Sequence, residues 1–162
     1  MNTTPMLWHY TFGHNYERIR ADQAIKPMAT YVAKEACPVV WFSRNQVWEA
    51  TATKGLSTED GMVTNCSMEE LAQHGGGLYR IGVAQETAPH NWDDFVRIGK
   101  ISREVALELR RFAKLRNSNR KDWFVSFEPV VQDKWVAVEV LDNHTWVTAI
   151  YRQAPSIIIH AT

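Results

Sequence analysis

The sequence predicts an α+β fold in one domain, residues 1–162, with two small antiparallel sheets, or one split sheet, forming a cleft and helices packed outside. Three observations carry this expectation. A chain of 162 residues with 45% hydrophobic content has the size and apolar share of a single domain with its own core. The second half reads as strands joined by short polar turns, the mark of antiparallel pairing. Helical periodicity is confined to the first half and the middle, so helices do not alternate with strands as a parallel sheet requires.

The elements follow in order. Leu7 to Phe12 is an apolar run read as a strand, and Asn15 to Ala24 has helical spacing, with Tyr16, Ile19 and Gln23 on one side and Pro27 as the stop. Pro38 opens a continuous apolar run through Phe42, rich in Val and aromatic residues, as buried strands are. From Arg44 to Cys66 periodicity fades, which predicts a long loop with one helical turn; loops of this length in a compact domain are more often functional than accidental. Ser67 followed by Glu70 has the spacing of a capping box for a short helix to Gln73. Gly75-Gly76-Gly77 stops that helix, and these glycines lack the strand-before, helix-after setting of a phosphate loop. Leu78 to Ala84 alternates as a strand, with Arg80 opposite Tyr79, Ile81 and Val83. Ser102 is the expected cap of a helix to about Leu115 with Val105, Leu109 and Phe112 as its stripe. Trp123 to Phe127, Trp135 to Leu141 and Trp146 to Tyr151 then form an antiparallel meander.

Composition narrows the function classes. Lys plus Arg equals Asp plus Glu at 18 each, so no global field draws the chain to nucleic acid or to an acidic membrane. A local field is confined to Arg110, Arg111, Lys114, Arg116, Arg120 and Lys121. That cluster is read either as cations complementing a helix C-terminus or as a phosphate and nucleic-acid contact. Two cysteines, Cys37 and Cys66, make neither a disulfide framework nor a zinc spacing, and no apolar run reaches the ~18–20 residues of a membrane helix. The expectation is a soluble cytoplasmic protein with no membrane partner. No nucleophile elbow exists, and neither Cys has an evident His partner, which argues against a Ser or Cys hydrolase. Seven Trp is a high count, and some of these rings are expected to line a cleft.

Polar residues at the tip of the first strand, His9, Tyr10 and Thr11, point to a ligand site. Alternation allows only one of the His9 and Tyr10 rings to enter one pocket. Glu139 is the expected catalytic carboxylate. Simple alternation along Lys134 to Leu141 sets it on one face with Trp135, Ala137 and Leu141, less wet than an ordinary solvated face; the competing reading is a Glu on an exposed sheet face. Ser43 and Arg44 leave the buried strand, where a hydroxyl either meets ligand or satisfies backbone, and Arg44 either clamps a diphosphate or is an exposed loop charge. Arg80 is the competing diphosphate clamp. Trp48 is the loop ring suited to stacking on a base, and Glu49 and Glu128 are spare carboxylates.

Taken together, Leu7-Trp8-His9-Tyr10-Thr11, the helix with Ile19 and Ile25 ahead of Lys26-Pro27, the strand Val39-Val40-Trp41-Phe42-Ser43 and the late strand with Glu139 resemble the ADP-ribosyltransferase fold. The resemblance is to its compact branch with an initial His-Tyr or His-Ile strand, which includes DarT-like toxins and small bacterial and phage proteins. It implies NAD as substrate, with His9 on the ribose or nicotinamide end, Ser43 supporting the nicotinamide and Glu139 orienting the ribose for attack. The place two residues before that Glu, often Glu or Gln in enzymes that modify protein side chains, is Ala137, which speaks against arginine-directed transfer. The expected activity is ADP-ribose transfer to a macromolecular acceptor or NAD hydrolysis; the alternatives are a non-catalytic nucleotide-binding module and a protein-inhibitory interaction domain.

Overall fold

A computed structural model describes residues 5–30, 33–52, 56–57, 63–64 and 66–149. Strand β1 (Leu7–Phe12) leads into helix α1 (Gly13–Asp22), a short β2 (Ala24–Ile25) and β3 (Val40–Ser43). Then come β4 (Leu56–Ser57), β5 (Val63–Thr64), α2 (Met68–His74), β6 (Leu78–Val83), β7 (His90–Asn91), α3 (Trp92–Ile98) and α4 (Arg103–Leu115). The chain continues through β8 (Trp123–Ser126), β9 (Val130–Val131), β10 (Trp135–Asp142) and β11 (Thr145–Thr148). The fold is α+β, as expected from the sequence.

Among the described residues seven strands make one antiparallel sheet in the order β11-β10-β6-β1-β3-β8-β7, and the pairs β2-β9 and β4-β5 stand apart from it. The expected meander of late strands is therefore corrected. Only β10 and β11 are neighbours, while β8 crosses to the other end of the sheet and pairs with β3. Pairing is also uneven. All of β1 matches β6, from Leu7↔Val83 to Phe12↔Leu78, yet β1 meets β3 at the single pair Trp8↔Ser43. The sheet thus has a seam between β1 and β3 along which the backbone ladder is missing.

The start of α1 is fixed by glycine. Among the described residues no side chain caps it; instead the Gly13 amide donates to the Gly77 carbonyl at 2.9 Å. A Cβ on Gly13 would stand 1.9 Å from the Gly76 oxygen, and Gly76 and Gly77 have φ of +73° and +106°, so this junction admits no larger residue without moving. The glycines both stop α2, whose Ser67/Glu70 capping box forms as expected, and accept the first turn of α1. Helix α1 ends at Gln23 in the left-handed conformation, not at Pro27. Residues 44–52 form a loop with a 3-10 turn at Ala50–Ala52; positions 53–55, 58–62 and 65 of the expected loop lie outside the described residues, as does the end of the last expected strand from 150 onward.

Strand alternation sorts the core into two layers. Leu7, Val40, Phe42, Ile81, Phe124 and Val138 pack on one face of the sheet beneath Tyr16 and Ile19 of α1. On the other face Trp41, Trp123 and Val125 pack beneath Trp92 and Phe95 of α3 and Val105, Leu109 and Ala113 of α4. Phe95 is fully buried, with its ring 4.8 Å from Trp41. Truncating it leaves a void that the rings around it cannot close, so Phe95→Ala should cost about 3–5 kcal/mol of unfolding free energy in urea titration. Ser102→Ala, which removes the α4 cap to the Val105 amide, should cost only about 1 kcal/mol.

Candidate functional site

A cleft of about 710 Å³ opens at the seam, within the range of small-molecule sites. Its walls are β1 (His9, Thr11) and β3 (Trp41, and Ser43 at the single paired position), flanked by Arg18, Ile19 and Asp22 of α1 and the segment Lys26 to Thr30. Leu109 and Phe112 of α4, with Arg116 and Trp123, complete it, so the cleft reaches the helices on both faces of the sheet.

His9 takes the place of the missing ladder. Its Nδ1 lies 2.8 Å from the Trp41 carbonyl, and its ring is tilted against Phe42. Burial holds the imidazole below its ordinary titration range, only partly offset by that carbonyl, so the ring is neutral at pH 7. A carbonyl partner requires the proton on Nδ1, which leaves the Nε2 lone pair as an acceptor. Among the described residues no protein group bonds to it.

Across the seam stands Glu49, buried at 4% exposure and, with Ser43, Thr51 and Ala52, part of the cleft wall. Its carboxylate accepts from Ser43 Oγ at 2.8 Å, Asn45 Nδ2 at 2.9 Å, the Thr51 amide at 3.2 Å, and the Thr51 and Ser118 hydroxyls. Burial by itself would raise its titration, but the donors Ser118, Thr51 and Ser43 outweigh burial and hold it below the ordinary carboxylate range. Glu49 is thus a fixed anion, suited to acting by its field and poorly suited to taking a proton.

The remaining expected site residues divide between cleft and elsewhere. His9, Thr11 and Ser43 do share it. Tyr10 is also on the cleft wall, but its hydroxyl donates to the Asn45 carbonyl at 2.8 Å and its ring meets Trp48 and Trp146. Burial, moderated by Arg80, pushes that phenol up to about 12, so it stays protonated. Glu139 must be corrected as a partner of His9. The register sets His9 opposite Ile81 and Val138 on one face, whereas Glu139, Arg80 and Tyr10 share the other. Glu139 is committed to Arg80, accepting from Nε at 2.6 Å and pairing with Nη2. The expected company of Glu139 was also wrong in part, because a bulge between Trp135 and Ala137 turns Trp135 to the core beneath α1.

Arg80 is no free diphosphate clamp: it is buried, paired with Glu139 and sandwiched by Trp8 and Trp146, whose ring centroids lie 3.9 Å and 4.4 Å from its guanidinium carbon. Arg44 is exposed over Phe124, and Trp48 stands edge-on to Tyr10; neither lines the cleft. Of the basic segment, Arg116 is on the cleft wall and Arg110, Arg111, Lys114 and Lys121 are exposed near it in sequence. Glu49 was undervalued by sequence reasoning. The available signal was the polar spacing Ser43, Asn45, Glu49, Thr51 immediately after a buried strand.

Among the described residues no helix is long and apolar enough to cross a membrane, and no group of three His, Cys, Asp or Glu side chains is arranged to hold a metal. No protein family, curated protein or solved structure matches the chain.

Both cleft groups tie stability to pH in the same direction. His9 titrates in the folded protein below its ordinary 6.5, so the unfolded chain takes up this proton first as pH falls; its contribution is complete above 6.5 and lost on descent through the folded value. Glu49 behaves likewise below its ordinary 4.5. Urea denaturation across pH should therefore show a fall below 6.5 that His9→Asn flattens and a second below 4.5 that Glu49→Gln flattens. Unchanged slopes in both variants would contradict these assignments.

Proposed function

We propose that the seam cleft binds NAD and that the protein cleaves the nicotinamide–ribose bond, passing ADP-ribose to an acceptor or to water, on a split-sheet framework of the ADP-ribosyltransferase kind. The observation that carries this reading is that one cleft is lined both by a neutral imidazole, whose Nε2 has no partner among the described residues, and by a buried, hydrogen-bonded anion. Nicotinamide departs with the bonding electron pair, the ribose C1 becomes cationic, and an acceptor oxygen closes the new bond while its proton passes to solvent. That cationic transition state rewards a nearby oriented anion. Glu49 takes this role in place of Glu139. The Nε2 of His9 accepts from a ribose hydroxyl, Ser43 and Thr11 border the same space, and Arg18, with Lys26 in its ion pair to Asp22, lines the wall where the diphosphate lies. A polyanionic acceptor such as nucleic acid suits the segment Arg110 to Lys121, which reaches the cleft at Arg116.

A second reading, a non-catalytic nucleotide-binding module, is favoured by one observation: the Glu49 carboxylate already accepts five hydrogen bonds. The two readings part at Glu49→Gln. For the enzyme, nicotinamide release should fall by about 10²–10³ with NAD affinity nearly unchanged, because the charge is needed only in the transition state. For the module, calorimetry should show NAD binding to the wild type with no nicotinamide released by either protein. His9→Ala should weaken NAD binding under both readings, and a wild type that does not bind NAD rejects both.

A further inference from the structure

The loop that carries Glu49 belongs in sequence to β3, but it is held from the opposite side of the seam. Three consecutive carbonyls of this loop each accept a hydrogen bond from a side chain of the other half-sheet: Asn45 from Tyr10 of β1, Gln46 from Arg80 of β6, and Val47 from Trp146 of β11. The Gln46 side chain fastens the same stretch, accepting from Trp8 Nε1 at 3.0 Å and donating to the carbonyls of Met6 and Arg44. Beyond these carbonyls, Asn45 is the bridge to the cleft. Its amide donates to Ser43 Oγ at 3.1 Å, and its side chain donates to Glu49, to which Ser43 also donates.

Arg80 is the centre of this clamp, and its geometry depends on Glu139. The carboxylate takes Nε and Nη2, which leaves Nη1 aimed at the Gln46 carbonyl, and the indoles of Trp8 and Trp146 fix the guanidinium plane. Gly82 makes room for this stack, since a Cβ there would stand 2.8 Å from the Trp8 ring. A buried guanidinium needs a paired charge, and Glu139, facing it in register from β10, supplies it.

We propose that Glu139 is a positioning residue: by orienting Arg80 it holds the 45–47 backbone from the far half-sheet and so sets Glu49 in the cleft. Its effect on turnover rests on the NAD reading given above, whereas the positioning of Glu49 does not. The ionisable groups that meet in this network are Tyr10, Arg80, Glu139 and Glu49.

The test follows Glu49 directly, by carboxyl NMR titration of the labelled full chain, together with hydrogen exchange of the Asn45 and Thr51 amides. Glu139→Gln, Arg80→Lys and Trp146→Phe are compared with Phe95→Leu, which weakens the other half of the core without touching the clamp. The clamp variants should raise the Glu49 titration and speed exchange at both amides by about tenfold, the scale of one charge-assisted hydrogen bond. Phe95→Leu should lower the thermal midpoint and leave both readouts in place. Glu139→Gln and Trp146→Phe, which keep the buried cation or its partner, carry the test if Arg80→Lys does not fold. The proposal is overturned if Glu49 and the two amides are unmoved in the clamp variants, or move equally in Phe95→Leu. Parallel NAD assays separate the two ideas. A Glu49 response with no wild-type NAD cleavage upholds the clamp and rejects the enzyme; NAD cleavage that Glu139→Gln lowers with Glu49 unmoved upholds the enzyme and rejects the clamp.

Discussion

The absent ladder between β1 and β3 is the constraint on which the rest of the structure depends. A seven-stranded sheet joined at its middle by the single pair Trp8↔Ser43 exposes backbone polar groups where a continuous sheet would satisfy them. The chain answers with side chains. His9 reaches across to the Trp41 carbonyl, and the Ser43 hydroxyl turns to Glu49. The groups that line the cleft are thus the same groups that allow the sheet to remain open, which is why the local chemistry is both buried and polar.

An open seam must also be held open at a fixed width, and the two halves are braced differently on their two faces. On the α1 face the contacts are apolar, with Tyr16 stacked on Tyr79 at 4.2 Å and Phe42 beneath the same layer as Ile81. On the opposite face the bracing is polar and directional, running from Glu139 through Arg80 to the loop after β3. Apolar packing resists separation but tolerates sliding, whereas hydrogen bonds to three successive carbonyls fix register as well. This division leaves Glu49 with donors from β3, from its own loop and from Ser118 beyond α4, so its position reports on all three.

Local features of the fold were legible in the sequence, and non-local ones were not. The strand at Leu7–Phe12, the Ser67/Glu70 box and the Ser102 cap depend on neighbours a few residues away, and each formed as its spacing required. Helix α3 escaped notice because its seven residues, capped by Asn91, are too few to show a period. The pairing of β8 with β3 joins residues some eighty positions apart, and no turn signal records it. Alternation assigns faces only along an unbroken strand: the bulge at Trp135 reversed one residue, while Glu139 kept company with an arginine on another strand. In the site, His9 and Ser43 were readable because they end apolar runs. Glu49 was not, since what distinguishes it is a set of donors gathered from Ser43 to Ser118.

Nucleotide binding at the seam can be read from the indole N–H signals of the seven tryptophans during NAD titration. Trp41 and Trp123 stand on the cleft wall with buried Nε1 groups that meet no hydrogen-bond acceptor among the described residues, whereas Trp135 donates to the Val130 carbonyl away from it. Nucleotide in the seam should give saturable shifts at Trp41 and Trp123 that His9→Ala weakens, with Trp135 unmoved. Shifts confined to Trp135, or none at any indole up to millimolar NAD, would contradict it.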